Sequence, residues 1–480
     1  MSDALPLPCS SDHSAVLSID AGSQSVRTAL FNTAGKCLST CQQRCAPLVD
    51  QTTVQQDPRA ILAAVRSCLE RLAWEGEVLA AAIVSQGASA ACYRRTDGRW
   101  LSPVISWQDR RGADYLTPMS LDSEQVHART GLPLSCHYGA TKLRWCLEQL
   151  PQVAQAHREN DLAAGPLMSF LLHQLCAERP VVVDSSNASR TQVWNLHDQQ
   201  WDSVLAGAFG VPTDILPTGL STCSRFGTLD VAERRIPVIF ASRDQQAALF
   251  SDGPPQATTA YVNLGTGAFL QCLIPEPAGP RELLINRVLS GPEISDPLYT
   301  LEGTVHGAAG ALTWMQRHLG FAITRELLRD ALSYVPPEEK NIYFINGVMG
   351  MGSPYWRSEA INQFSDGLTT QEKLLAWLES IVFMLVDNLR LMLPWASVDR
   401  LSLSGGFSAL SGLVQRLADL SGLPCYSSTY HEATLRGAAY LAAGQPDQWQ
   451  TQQPCAYLPA SNRGLAYRYQ QWREAMDRTR

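Results

Sequence analysis

One pattern occurs twice in this chain and limits what it can fold into. Val16 to Asp20 reads as a short apolar strand, Ala21 to Ser25 as a turn of glycine and hydroxyl residues, and Arg27 to Asn32 as an extended return. Tyr261 to Leu264, the turn Gly265-Thr266-Gly267 and the stretch Ala268 to Ile274 repeat that order. A weak internal repeat of this kind predicts two similar α/β domains facing one cleft. At 480 residues the chain exceeds what one core organises, which agrees with two domains. Ser251 to Gln256, with its Gly-Pro-Pro, marks the expected break near residue 252. The expected divisions are a loose tail over 1–14, a first domain over 15–252, a second over 253–445 and an irregular tail over 446–480.

Helical periodicity is expected over Arg59 to Trp74, Thr141 to Leu150, Asp244 to Phe250, Ala308 to Leu319, Gln371 to Leu393, Ser411 to Ser421 and Ala433 to Ala443. A second hairpin region is expected from Ala81 to Val84 and Ala91 to Arg94, turning at Asp97-Gly98 and returning through Trp100 to Ile105. Cys37, Cys41 and Cys45 have a spacing that would align them on a helix face. With no His or fourth Cys near, they read as packed thiols rather than a metal site.

Composition narrows the partners. A formal charge of −7 gives no overall positive field for nucleic acid, and no apolar run approaches the roughly 20 residues of a membrane helix. Met1 to Ser14 has neither a basic start nor an apolar core, and the thirteen cysteines form no CxxC, so the expected compartment is the cytoplasm with reduced thiols. A homo-oligomer is left open.

The turns carry the chemistry. In Asp20-Ala21-Gly22-Ser23-Gln24-Ser25-Val26-Arg27, Gly22 lets the backbone approach a ligand, Ser23 and Ser25 offer hydroxyls to phosphate oxygens, and Arg27 adds charge. A plain polar hairpin capped by Asp20 is the competing reading. Asn263-Leu264-Gly265-Thr266-Gly267 repeats the device, and the pair favours a polyphosphate nucleotide. Leu403-Ser404-Gly405-Gly406-Phe407-Ser408, between a strand and a helix, is a third candidate phosphate or nucleoside contact. No GxxxxGK[ST] and no GxGxxG with a later acid occurs, so P-loop and Rossmann readings lose ground. Asp244, at the end of the expected strand Ile236 to Phe240 and before the domain break, reads as a general base for phosphoryl transfer to an alcohol. Trp107, beside Gln108, Asp109, Arg110 and Arg111, offers the flat apolar face and polar neighbours that a polyol needs.

In this order the segments resemble the FGGY carbohydrate kinases, and within them the glycerol kinase branch. The likeness spans residues 15 to 444 and rests on DAGSQSVR at 20–27, ISWQDRR at 105–111, GLPLSCHYGATKLRW at 131–145, DSSNASRT at 184–191, RDQQAALF at 243–250, NLGTG at 263–267, LEG at 301–303, GSPYW at 352–356, SGGFS at 404–408 and RGAAYLA at 436–442. The resemblance implies two actin-like (ribonuclease H-like) domains and ATP-dependent phosphorylation of a small sugar or polyol, with ATP and Mg²⁺ in the cleft. By analogy Asp244 is the base, and Asp20 stands with it near the metal. Gly22, Ser23, Gln24 and Arg27 surround the transferred phosphate. Gly265 and Thr266 hold the β-phosphate region, Gly310 belongs to the altered adenine pocket, and Gly405 and Gly406 lie by the nucleoside. Gln86, Trp107, His137 and Gln245 face the substrate.

The chain departs from the family at several of these places. Gln86-Gly87-Ala88-Ser89 replaces an Arg-Glu pair, His137 replaces a pocket Tyr, and Arg243 replaces the Gly before the catalytic Asp. The first two changes enlarge or neutralise the pocket, so a longer polyol or a ketose fits better than glycerol. Arg243 is expected to lower the Asp244 pKa or to bind a substrate anion. Ala309, Gly310 and Thr313 ahead of Trp314 alter the adenine pocket. A second reading, a degenerate kinase that senses nucleotide or sugar, rests on Arg243 and that pocket; a third is an actin-like ATPase without a small acceptor.

Overall fold

The computed structural model describes residues 14–479 apart from 51–52, 75, 292–293, 295, 358–360, 429–431 and 452. All of the expected tail except Ser14 lies outside the described residues. The chain forms two compact units, one of residues 1–255, 285–299 and 432–451, the other of 256–284, 300–431 and 452–480.

The first unit is built on a six-stranded sheet. Its strands are β1 (Ser14–Ala21), β2 (Ser25–Asn32), β3 (Cys37–Arg44), β4 (Glu77–Ser85), β5 (Cys223–Val231) and β6 (Arg234–Arg243), in the spatial order β5-β6-β4-β1-β2-β3. All of β1 is buried, as a central strand covered on both faces requires. It runs antiparallel to β2 and parallel to β4, and β6 is parallel to β4. The helix Pro58–Arg71, capped by Asp57 and opened by a proline, makes the crossover to β4 and buries Ile61, Leu62, Val65, Cys68 and Leu69 in the core.

The parallel strands end together. Ala21 pairs with Ser85, and Ser85 with Arg243, so the turn at Gly22, the bend at Gln86-Gly87 and Asp244 all follow the carboxyl ends of neighbouring strands. Ligands of open α/β sheets bind at such ends.

In the second unit β7 (Thr259–Leu264) runs antiparallel to β8 (Ala268–Ile274) and parallel to Arg400–Ser404. β1 has the same relation to β2 and β4, so the repeat in sequence is a repeat in topology. Leu298–Val305, β8, β7, Arg400–Ser404, Cys425–Ser427 and Cys455–Tyr457 lie side by side in that order. The long helix Thr370–Met392, with a Thr369/Glu372 capping box, is buried along most of its length.

Four expectations change. The C-terminal stretch is not irregular: Arg463–Arg478 is a helix that buries Leu465, Tyr469, Trp472 and Met476. Its apolar residues keep helical spacing, and only the Gln- and Pro-rich segment before it lacks a pattern. Ala81–Val84 and Ala91–Arg94 are not paired, because the chain leaves β4 at a bend where Ala88 has φ 58°; Ala90–Arg94 joins a separate five-stranded sheet, where the expected return past Asp97-Gly98 does bring Trp100 to Tyr93 and Ile105 to Ala90 in antiparallel register. The helix Ala433–Ala442, placed by sequence in the second domain, packs on β1, β4 and β6 of the first unit. Ser18 Oγ donates to Leu435 O at 2.8 Å, and a Cβ on Gly437 would come 1.8 Å from Ala247 O. Cys37 and Cys41 lie on strand β3, not a helix.

Candidate active site

At the end of β1, Asp20 is wholly buried and sits opposite Arg27 across the hairpin. The Arg27 guanidinium donates to Asp20 Oδ2 and, at 2.8 Å, to Glu432 Oε2. Burial raises the Asp20 pKa against the opposing pull of Arg27. Asp20 Oδ1 is buried with no hydrogen-bond partner, an oxygen available to a ligand or ion. Between the strands Gly22 N donates to Ser25 O at 3.1 Å, and Ser23 and Gln24 occupy the accessible tip of the turn.

Asp244 opens the short helix Asp244–Ala247 directly after β6, and its Oδ1 accepts from the backbone N–H of Gln245 at 2.7 Å. Burial pushes its carboxyl up to about 7; the Asp20 charge adds to the rise, while the Gln245 N–H, Arg243 and Arg27 oppose it. The expected lowering by Arg243 is thus present but outweighed. A carboxylate poised near neutrality suits proton abstraction.

The bend after β4 joins these groups to an aromatic wall. Gln86 is buried; its N–H donates to Ala21 O at 3.1 Å and its Nε2 to Gln56 Oε1 at 2.6 Å. Gln56 Nε2 in turn donates to Ser23 O at 3.2 Å, in the turn between β1 and β2. Two residues beyond Gly87, Ser89 Oγ accepts from Trp107 N at 3.2 Å. Trp107 and His137 have ring centroids 5.3 Å apart, His137 and Tyr138 5.1 Å, and the Arg190 guanidinium lies 6.0 Å from the Tyr138 ring. The loop of His137 and Tyr138 is held by buried Lys142, whose Nζ donates to the carbonyls of Cys136 and Tyr138, each at 3.1 Å, and of His137.

The second unit brings its expected residues together as well. Gly265 N donates to Gly267 O at 2.9 Å, Ala309 N to Gly265 O at 3.3 Å and Gly310 N to Thr266 O at 2.8 Å. Gly405 has φ 88°, and a Cβ there would meet Leu264 O at 2.7 Å; one on Gly406 would meet nothing within 4 Å. Gly265, Thr266, Gly310, Gly405 and Gly406 therefore form one cluster of half-buried to exposed backbone beside the end of β7, a surface suited to phosphates and a nucleoside.

Sequence reasoning gave no role to Gln56, Arg190 or Lys142. Gln56 and Lys142 are polar residues at buried positions of a strand and a helix, and that mismatch is their only local signal.

The model of the N-terminal domain of the FGGY family of carbohydrate kinases matches residues 15–251, and that of the C-terminal domain matches 260–445. A glycerol kinase of Ralstonia nicotianae is 34% identical, covering 89% of this chain and 89% of its own length. A glycerol kinase of Symbiobacterium thermophilum is 30% identical, covering 97% and 98%. The crystal structure of Plasmodium falciparum glycerol kinase with ADP superposes with a TM-score of 0.83 at 21% identity, covering 97% and 98%, and shares the fold of two actin-like domains. With both domain models matched in order and relatives aligned along most of the chain, the protein belongs to the FGGY family of carbohydrate kinases and is an ATP-dependent carbohydrate or polyol kinase.

Proposed function

We propose that this kinase transfers the γ-phosphoryl group of ATP to a hydroxyl of a sugar alcohol or ketose larger than glycerol, with Asp244 as general base. The observation that carries this reading is the Asp244 carboxyl, raised to about 7 at the strand ends that also carry Asp20, Arg27 and the Gly22 turn. Asp244 takes the acceptor hydroxyl proton as the oxygen bonds to the γ-phosphorus. The bond from that phosphorus to the β,γ-bridging oxygen breaks, and ADP leaves. Gly22, Ser23, Gln24 and Arg27 hold the transferred group, and Gly265, Thr266, Gly310, Gly405 and Gly406 hold the nucleotide. Trp107 and His137 supply apolar faces for the carbon chain, and Gln86 and Gln245 supply amides for its hydroxyls.

Mg²⁺ fits the residues present. Asp20 Oδ1 is a hard oxygen donor without a hydrogen-bond partner, Asp244 is a second carboxylate, and no group of three or more His, Cys, Asp or Glu is placed to hold a metal among the described residues. That suits an ion held by one or two carboxylates and substrate phosphates. When bound it would neutralise charge on the phosphates.

Gln86-Gly87-Ala88-Ser89 carries no acid to grip glycerol, and Arg243 against Gly87 suits an acceptor with more oxygens. Coupled ADP release over C3 to C6 polyols and ketoses tests the reading, with turnover expected to be better on C4 to C6 acceptors than on glycerol. Asp244→Asn is expected to lower kcat by about 10²- to 10⁴-fold; full rate in that variant would overturn the assignment of the base.

A further inference from the structure

Gly87 has no backbone reason to be glycine, since it lies outside the positive-φ glycines. Its reason is a neighbour. A Cβ at 87 would come 2.7 Å from Cδ of Arg243 and 3.5 Å from Cγ of Arg190, so the aliphatic stem of Arg243 fills the space that any side chain at 87 would need. Arg243 is buried, is the last residue of β6, and precedes the proposed base. Its Nη2 reaches Asn286 Oδ1 at 3.4 Å, and its backbone N–H donates to Ser186 Oγ at 3.0 Å. Around the same bend stand Gln86, the Trp107 wall anchored on Ser89, and Arg190 against Tyr138.

We propose that Gly87 and Arg243 form one specificity element: the missing side chain at 87 lets Arg243 cross the floor of the acceptor site, where its guanidinium binds paired oxygens of the acceptor. This rests on the acceptor site proposed above. Arginine's planar fork matches two oxygens on adjacent atoms, a geometry shared by a vicinal diol and a carboxylate. The acceptor class is therefore a polyol or ketose with adjacent oxygens, or an aldonate, and both belong in the assay.

The test is a double-mutant cycle on the full-length protein, with KM for the acceptor, kcat and thermal unfolding measured for each variant on polyols, ketoses and aldonates. Arg243→Ala is expected to raise the acceptor KM by about 10- to 100-fold, the loss of a charged hydrogen bond, with a smaller change in kcat. Gly87→Ala is expected to raise KM in the wild-type background and to add nothing once Arg243 is alanine. Arg243→Lys, which keeps charge but not the fork, is expected to fall between. Equal effects of Gly87→Ala in both backgrounds, or an acceptor KM that ignores Arg243, would overturn the pair. If Gly87→Ala fails to fold, the alanine and lysine variants at 243 still decide whether the guanidinium sets KM. Asp244→Asn at full rate would instead show that the acceptor site is elsewhere, which separates that failure from a failure of the pair.

Discussion

Gln86 Nε2 lies 2.6 Å from Gln56 Oε1, and Gln56 donates in turn to the carbonyls of Ser23 and Cys45 at 3.2 and 2.7 Å. One amide thus ties the floor of the proposed acceptor site to the turn proposed to hold the phosphate. Gln56→Leu removes these bonds and leaves buried carbonyls unmet, at a cost of about 1–3 kcal/mol in stability. Steady-state kinetics should show KM rising for the acceptor and for ATP together. A rise in only one would mean that the two sites are not held through this side chain.

With Asp244 as the proposed base, its carboxyl near 7 is expected to make the rate depend on pH. Because the base must be ionised, kcat/KM should rise with pH to a plateau above about 7 and fall about tenfold per unit below it. Arg243 opposes the rise in this pKa, so Arg243→Ala should move the acid limb to higher pH. An unchanged limb would show that the guanidinium does not act on the base.

The same carboxyl bears on stability. Its folded pKa stands above the ordinary 3.8, so the native state keeps a proton that the unfolded chain has released, and this group's contribution is lost as pH rises from 3.8 to about 7. Asp244→Asn escapes the loss. Its melting temperature should exceed that of the wild type at pH 8 and approach it at pH 4.

Lys142 is lowered to about 7 by burial, from an ordinary 10.5. Between those values the unfolded lysine holds a proton that the native one sheds, so this group makes stability rise with pH across the window, and Lys142→Met should abolish that rise. The variant also frees the loop of His137 and Tyr138, so the acceptor KM should increase while the ATP KM stays. Denaturation at several pH values, with kinetics on both substrates, checks both parts.

Gly405 and Gly406 separate fold from ligand. A Cβ at 405 collides with Leu264 O and needs φ 88°, so Gly405→Ala should lower stability by about 1–3 kcal/mol. At 406 the protein leaves open space, and Gly406→Ala should keep the wild-type melting temperature while raising the ATP KM. An unchanged ATP KM would remove Gly406 from the nucleotide site.

The central strands and the glycine turns were legible because each rule that marks them is local. The run Val16–Asp20 is apolar enough to be buried on both faces, and Gly405 stands where the backbone needs positive φ. The partners of those turns were not legible. Gln56 reaches Gln86 across 30 positions and Arg243 reaches Gly87 through space, and no periodicity reports such pairs. The helix Ala433–Ala442 is legible as a helix, but its apolar face does not say which sheet it covers. The helix Arg463–Arg478 was missed because charged and glutamine residues dilute a stripe that Leu465, Tyr469, Trp472 and Met476 still form.

The helix Ala433–Ala442 also bears on synthesis. Ser18 and Ala247 both precede the second unit in the chain, yet the groups that cover them, Leu435 and Gly437, leave the ribosome near its end. The N-terminal sheet must wait with an apolar face open to water while almost the whole second unit is translated. A chaperone that shields that face during elongation, or a pause that lets the second unit collapse first, would favour folding over aggregation.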